Sequence, residues 1–140
     1  MQTYGTVQAG GVPTALSPGG RLVLFDGTET PAAGLTSLPF VRAPGPAFSE
    51  CGTLFSCNFA ANPNATLVIE ASNSDVLDGL TQAQADGSYQ ILFTFTPAQS
   101  EALAGYGYVD NYADIGNWKY YRAKLTAYVS GGMPTVIVQR

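Results

Sequence analysis

Histidine is absent from the chain. That gap removes the usual base of a Ser or Cys triad and the nitrogen ligands of a Cys/His zinc site. Charge is also scarce. Asp, Glu, Lys and Arg make up 11% of the 140 residues, less than half of the roughly 25% usual for a soluble domain. Six Lys and Arg against ten Asp and Glu leave a net charge of −4. Nucleic-acid affinity is dominated by cations that neutralise phosphates, and six scattered cations form no such patch, so nucleic acid is excluded as the main ligand. No apolar run approaches the roughly 18 residues of a membrane helix, and no membrane partner is expected. The opening MQTYGTVQAGG has no basic segment followed by an apolar one, so no signal peptide is read and synthesis in a cytosol is expected. No glycine-rich loop joins a strand to a helix, which leaves nucleotide binding without support.

The acids suggest no chemistry either. A glycosidase needs two carboxylates about 5–10 Å apart across a cleft, and most of the acids here fall in loops or at outward strand positions. Glu70 is the exception, in mid-strand and opposite in phase to Ile69. The expected partner is Arg122 or Lys124 on a neighbouring strand. Asp75, Asp78 and Asp86 lie in the polar stretch 73–87. Val76 and Leu77 interrupt a calcium-loop pattern there, and no terminal Glu follows, so a solvated loop is expected. No catalytic residue, metal site or cofactor is assigned, and the chain is not expected to be an enzyme. Cysteine is limited to Cys51 and Cys57. On one extended strand they lie about 20 Å apart, while a disulfide needs Cα atoms within about 7 Å. Two reduced, buried thiols are the expectation.

What is present is alternation. Residues 118–129, WKYYRAKLTAYV, put Tyr121, Ala123, Leu125, Ala127 and Val129 on one side. Trp118, Tyr120, Arg122, Lys124, Thr126 and Tyr128 fall on the other. Side chains of a strand point alternately to opposite faces, so the odd set is read as core. The even set, two cations among three aromatics, is read as presented outward. Residues 21–25, 53–59, 66–72, 88–96 and 134–139 are read as further strands, with alternation clear at 53–59 and 88–96. Leu67, Ile69 and Ala71 are expected inward, as are Tyr89, Ile91, Phe93 and Phe95. The strands at 53–59 and 66–72 are expected to form a hairpin. Thr96-Pro97-Ala98-Gln99 has the form of a capping box with proline at the first helical position, so a short helix is expected to about residue 104. Residues 106–117 are read as a loop.

Six of nine prolines lie in the first 50 residues, where strands are confined to edges or short runs. Residues 1–47 are therefore read as an extended arm with outer strands, and 48–140 as the core of one folding unit. Together these elements predict an all-β sandwich or jelly roll with one short helix.

Two stretches, TLVIEASN at 66–73 and NWKYYRAKLTAYVSGGMPTVIVQR at 117–140, resemble small structural proteins of tailed double-stranded-DNA bacteriophages. The resemblance covers about a quarter of the chain. It implies a virion protein, foremost a capsid decoration (cement) protein, with a tail or fibre component next. It further implies a homotrimer bound to the major capsid protein or another virion protein, on the outer surface of the head. Low charge agrees, because interface cores are depleted in charge and enriched in aromatics and Arg. Trp118, Tyr120, Arg122 and Tyr128 are the expected protein-interface residues. A carbohydrate-binding module is the rival reading, with Trp118, Tyr120 and Tyr128 as a stacking platform for sugar rings.

Overall fold

The computed structural model describes residues 14–42, 52–59, 64–96 and 108–140. Ten strands are seen there: β1 (Thr14–Leu16), β2 (Arg21–Asp26), β3 (Leu35–Thr36), β4 (Phe40–Arg42), β5 (Thr53–Phe59), β6 (Asn64–Ser72), β7 (Gln90–Phe95), β8 (Tyr108–Asp114), β9 (Tyr120–Ser130) and β10 (Thr135–Gln139). Between β6 and β7 come a 3-10 turn at Val76–Asp78 and one helix, α1 (Gln82–Ser88).

One sheet runs β2-β10-β5-β8; the other runs β1-β4-β9-β6-β7, with β3 also on β9. The pairings are nested: β2 with β10, β4 with β9, β5 with β8 and β6 with β7, all antiparallel. A long hairpin rolled across two facing sheets has this order, so the sandwich is a jelly roll. The expected hairpin of 53–59 with 66–72 does not form, because β5 and β6 lie in different sheets.

The described part of the proline-rich third is integral rather than an outer arm. Within it, β2 supplies Leu22, Leu24 and Phe25 to the core, and β4 supplies Phe40. Prolines 18, 31 and 39 fall between these strands rather than inside them, so no ladder donor is lost. The expected helix after Thr96 and Cys51 lie outside the described residues.

Sheet β2-β10-β5-β8 gives Phe55, Cys57, Phe59, Val136 and Val138 to the core, and the facing sheet gives Leu67, Ile69, Ala71, Phe95, Tyr121, Ala123 and Leu125. Aromatic rings run through it in series. Phe40 and Tyr121 stack at 5.5 Å, Tyr121 meets Phe55 at 5.8 Å, Phe55 meets Tyr112 at 6.2 Å, and Tyr112 stacks on Phe93 at 4.8 Å. The series crosses between the sheets twice and closes the side where edge strands β7 and β8 lie.

Bulges reset the alternation in three strands. Along β9, Leu125 pairs with Leu67 but Ala127 pairs with Thr66, so Thr126 is extra. One extra residue turns the following side chains to the other face. Val129 is consequently 72% exposed, and Tyr128 packs against the core. Leu92 is the extra residue of β7, and Ile91 points outward. Leu24 is extra in β2, which lets Leu24 and Phe25 both reach the core.

Candidate interaction face

Four residues were expected on a presented face of β9, and the structure covers that face from within the chain. Tyr120 and Arg122 are only 3% and 4% exposed. Trp118 and Tyr128 are half-buried against the core. Tyr120 and Arg122 are therefore not surface contacts of the folded chain. The sugar-stacking platform of Trp118, Tyr120 and Tyr128 is not assembled either.

Residues 73–87, expected as a solvated loop, do the covering together with Ser88 and Tyr89, which were expected to begin the next strand. Thr81 caps α1: its hydroxyl accepts from the Gln84 N–H at 3.2 Å, and the Gln84 side chain accepts from the Thr81 N–H at 3.0 Å. That reciprocal pair is a capping box. It places Asp86 over β9, where Arg122 Nη1 donates to Asp86 Oδ1 at 2.9 Å. Arg122 Nε donates to Glu70 Oε1 at 2.8 Å, one of the two partners expected for Glu70. The guanidinium carbon lies 3.8 Å from the centre of the Tyr89 ring, a cation–π stack. Tyr89 donates its hydroxyl to Asp75. At the far end Lys119 Nζ donates to Asp78 Oδ1 at 2.7 Å. The Ser72 and Ser88 hydroxyls lie 2.7 Å apart, and both close on the Ser74 carbonyl.

The ionisable groups respond accordingly. Burial pushes the Asp86 carboxyl up, but hydrogen bonds from Arg122 and Gln82 outweigh it, so the group sits below the usual carboxylate range. Burial works against the Arg122 charge, and the bonds to Glu70 and Asp86 more than compensate. Burial, then the bond to Asp75, pushes the Tyr89 phenol well above its ordinary value.

Asp114 organises a second network at one end of the sandwich. Tyr121 donates to its Oδ2 at 2.7 Å, Tyr112 to its Oδ1 at 3.0 Å, and the Gly116 N–H to Oδ2 at 3.1 Å. Arg42 Nη1 donates to the Gly116 carbonyl at 2.9 Å. These contacts fix the β8–β9 connection. Each of these carboxylates is thus engaged in holding one element of the fold on another. Cys57 is buried and unbridged, and burial, then the Asp110 charge, pushes its thiol well above the ordinary value.

The open surface lies on the other sheet. Register places three rows across its outer face. One is Arg21, Gln139, Leu54 and Ala113. The second is Val23, Ile137, Ser56 and Asn111. The third is Asp26, Thr135, Asn58 and Val109. Between Arg21 at one corner and Asp26 at the other no side chain is charged. Val109 is 60% and Leu54 39% exposed, while Val23 is buried. Asn58, Asn111, Ala113 and Gln139 are exposed, and Ser56, Thr135 and Ile137 half-buried. Sequence reading missed this face because β8, one quarter of it, was read as a loop. Val109, Asn111 and Ala113 do alternate with Asp110, Tyr112 and Asp114, and that was the available signal.

No protein-family model matches the sequence, and no curated protein matches it significantly. Among solved structures, the chain is similar to the K3 cleaved adhesin domain of Lys-gingipain from Porphyromonas gingivalis. The identity is 12% and the TM-score 0.43, over 86% of this chain and 73% of that one. A likeness at that score carries no argument about function.

Proposed function

We propose that the chain is a non-enzymatic structural subunit of a virion, a decoration protein on the outer surface of a phage head. In this reading it meets neighbouring protein subunits with the outer face of the β2-β10-β5-β8 sheet. The observation that carries the reading is the lack of charge on that face. Charge depletion marks the centre of protein interfaces, whereas a face kept solvated by its own side chains is normally dotted with Lys and Glu. Jelly rolls recur among viral capsid and lectin domains. The resemblance at 66–73 and 117–140 favours the first of these.

The size of the face adds a condition. Four strands about 4.8 Å apart and some 20 Å long make a plane of roughly 400 Å². A stable interface uses about 800 Å² per partner. The neutral face would thus be the centre of a contact, with neighbouring elements as its rim. The trimeric state is part of the same proposal.

The test is light scattering on the purified chain together with binding to phage heads that lack it. Asn58→Lys with Val109→Lys plants two cations in one row of the neutral face while leaving the core untouched. The wild type is expected to self-associate and bind, and the double variant to fold normally and bind at least ten-fold more weakly. A wild type that stays monomeric and ignores the heads would end the proposal, as would a double variant that binds equally well.

A further inference from the structure

The segment over β9 is held in an unusual way. Its only buried apolar side chain within α1 is Ala85, and none is buried in the Val76–Asp78 turn. Val76 is exposed. Leu77 and Leu80 are only half-buried, so hydrophobic burial holds the segment in part, and polar ties supply the rest. Arg122–Asp86 is the one ion pair joining α1 to the sheet among the described residues. Arg122 Nη2 is buried and has no hydrogen-bond partner. A closed cover thus already leaves one donor of a buried cation unmet.

We propose that residues 73–88 form a charge-latched cover over the outer face of the β4-β9-β6-β7 sheet, released when Asp86 loses its charge, and that release uncovers Tyr89, Tyr120 and Arg122. The groups around the guanidinium come from every element packed there. Glu70 stands on β6, Asp86 on α1, and Tyr89 just before β7. Lys124 lies farther along β9, and its charge reaches Asp86. Asp75 acts through Tyr89, and Asp78 and Lys119 pair at the far end beside Tyr120.

Neutral Asp86 leaves the buried cation with Glu70 as its only ionic partner. The bond from Nη1 then loses its charge assistance while Nη2 is already unmet, and opening readmits water to both. The Asp86 carboxyl sits below its usual range, so the latch is intact above about pH 4 and is lost as the pH falls further.

Hydrogen–deuterium exchange of the full chain tests this, with Asp86→Asn as the variant and Lys119→Met as the comparison. At pH 7, residues 73–88 of Asp86→Asn are expected to exchange at least ten-fold faster than in the wild type, with strands 53–59 and 135–139 unchanged. After correction for intrinsic rates, the wild type should show a smaller rise confined to the same residues, growing as the pH falls below about 4. Unchanged exchange in Asp86→Asn would overturn the proposal. So would an equal rise in Lys119→Met, which would remove the special role of Asp86. A joint rise in 73–88 and both core strands would overturn it too, since cover and fold would then open as one. The readout is independent of head binding, so it stands or falls apart from the decoration role.

Discussion

Arg122 shows what could be read at the scale of one residue and what could not. Strand phase left Arg122 or Lys124 as the partner of Glu70 across β6 and β9, and Arg122 is the one that meets it, at 2.8 Å. Their burial was not legible, because it depends on a helix whose residues are polar apart from two alanines and a glycine. Desolvation sets the energetics. Breaking a buried pair from one side costs about 3–5 kcal/mol, whereas replacing both members with apolar groups can be neutral. Glu70→Ala is expected to lose about 3 kcal/mol in guanidinium unfolding, and Glu70→Leu with Arg122→Met to lose less than Glu70→Ala. Equal losses would mean that the charges are solvated. The tyrosines give the pH dependence. Burial, then the bond to Asp114, pushes Tyr112 up to about 12, and burial also raises Tyr121 and Tyr89. A raised phenol stabilises the fold fully below its unfolded value near 10, and the contribution is lost as the pH climbs through the folded value. Alkaline unfolding is therefore expected to begin above about pH 10, with phenolate absorbance and loss of the circular dichroism signal rising together. Phenolate formation complete before any unfolding would contradict the burial of these three rings.

Elements were legible where one period held throughout. The core positions Leu67, Ile69, Ala71, Tyr121, Ala123 and Leu125 all follow from it. The failures at Ile91, Ala127 and Val129 share a cause, since a bulge reverses phase and leaves no mark in composition. The missed helix is different, because its signal was present. Thr81-Gln82-Ala83-Gln84 carries the same pattern as Thr96-Pro97-Ala98-Gln99. With only one buried residue, α1 lacks the apolar stripe that makes such a box persuasive. The cap must then supply a large share of the helix's stability. Thr81→Ala is expected to cost about 1 kcal/mol, read as faster amide exchange at 82–88 with the melting temperature of the sandwich nearly unchanged. A clear drop in that melting temperature would show that α1 is needed by the core itself.

For the whole molecule the informative quantity is sequence distance. An all-β sandwich followed from strand count and turn spacing, but nothing local shows that β2 pairs with β10 across more than a hundred residues. That closure makes β10 a central strand, bonded on one side to β2 and on the other to β5. Val136 and Val138 enter the core from it, and Arg140 pins the turn before β2 through Gly19 and Gly20. Removing residues 134–140 would unpair two strands, open the core along its length and free that turn. The loss of two buried valines alone costs several kcal/mol, a large part of the 5–15 kcal/mol that holds a domain. The truncated chain is expected to show no cooperative melt. Closure of so long a loop must also precede its reward, which places refolding in the slow range of about milliseconds to seconds typical of non-local β folds. Stopped-flow refolding of the full chain and a melt of the truncated one check the two halves of this argument. A cooperative transition in the truncated chain would mean that β5 and β2 can close the sheet without β10, and the nested order would then not be what holds the two sheets together.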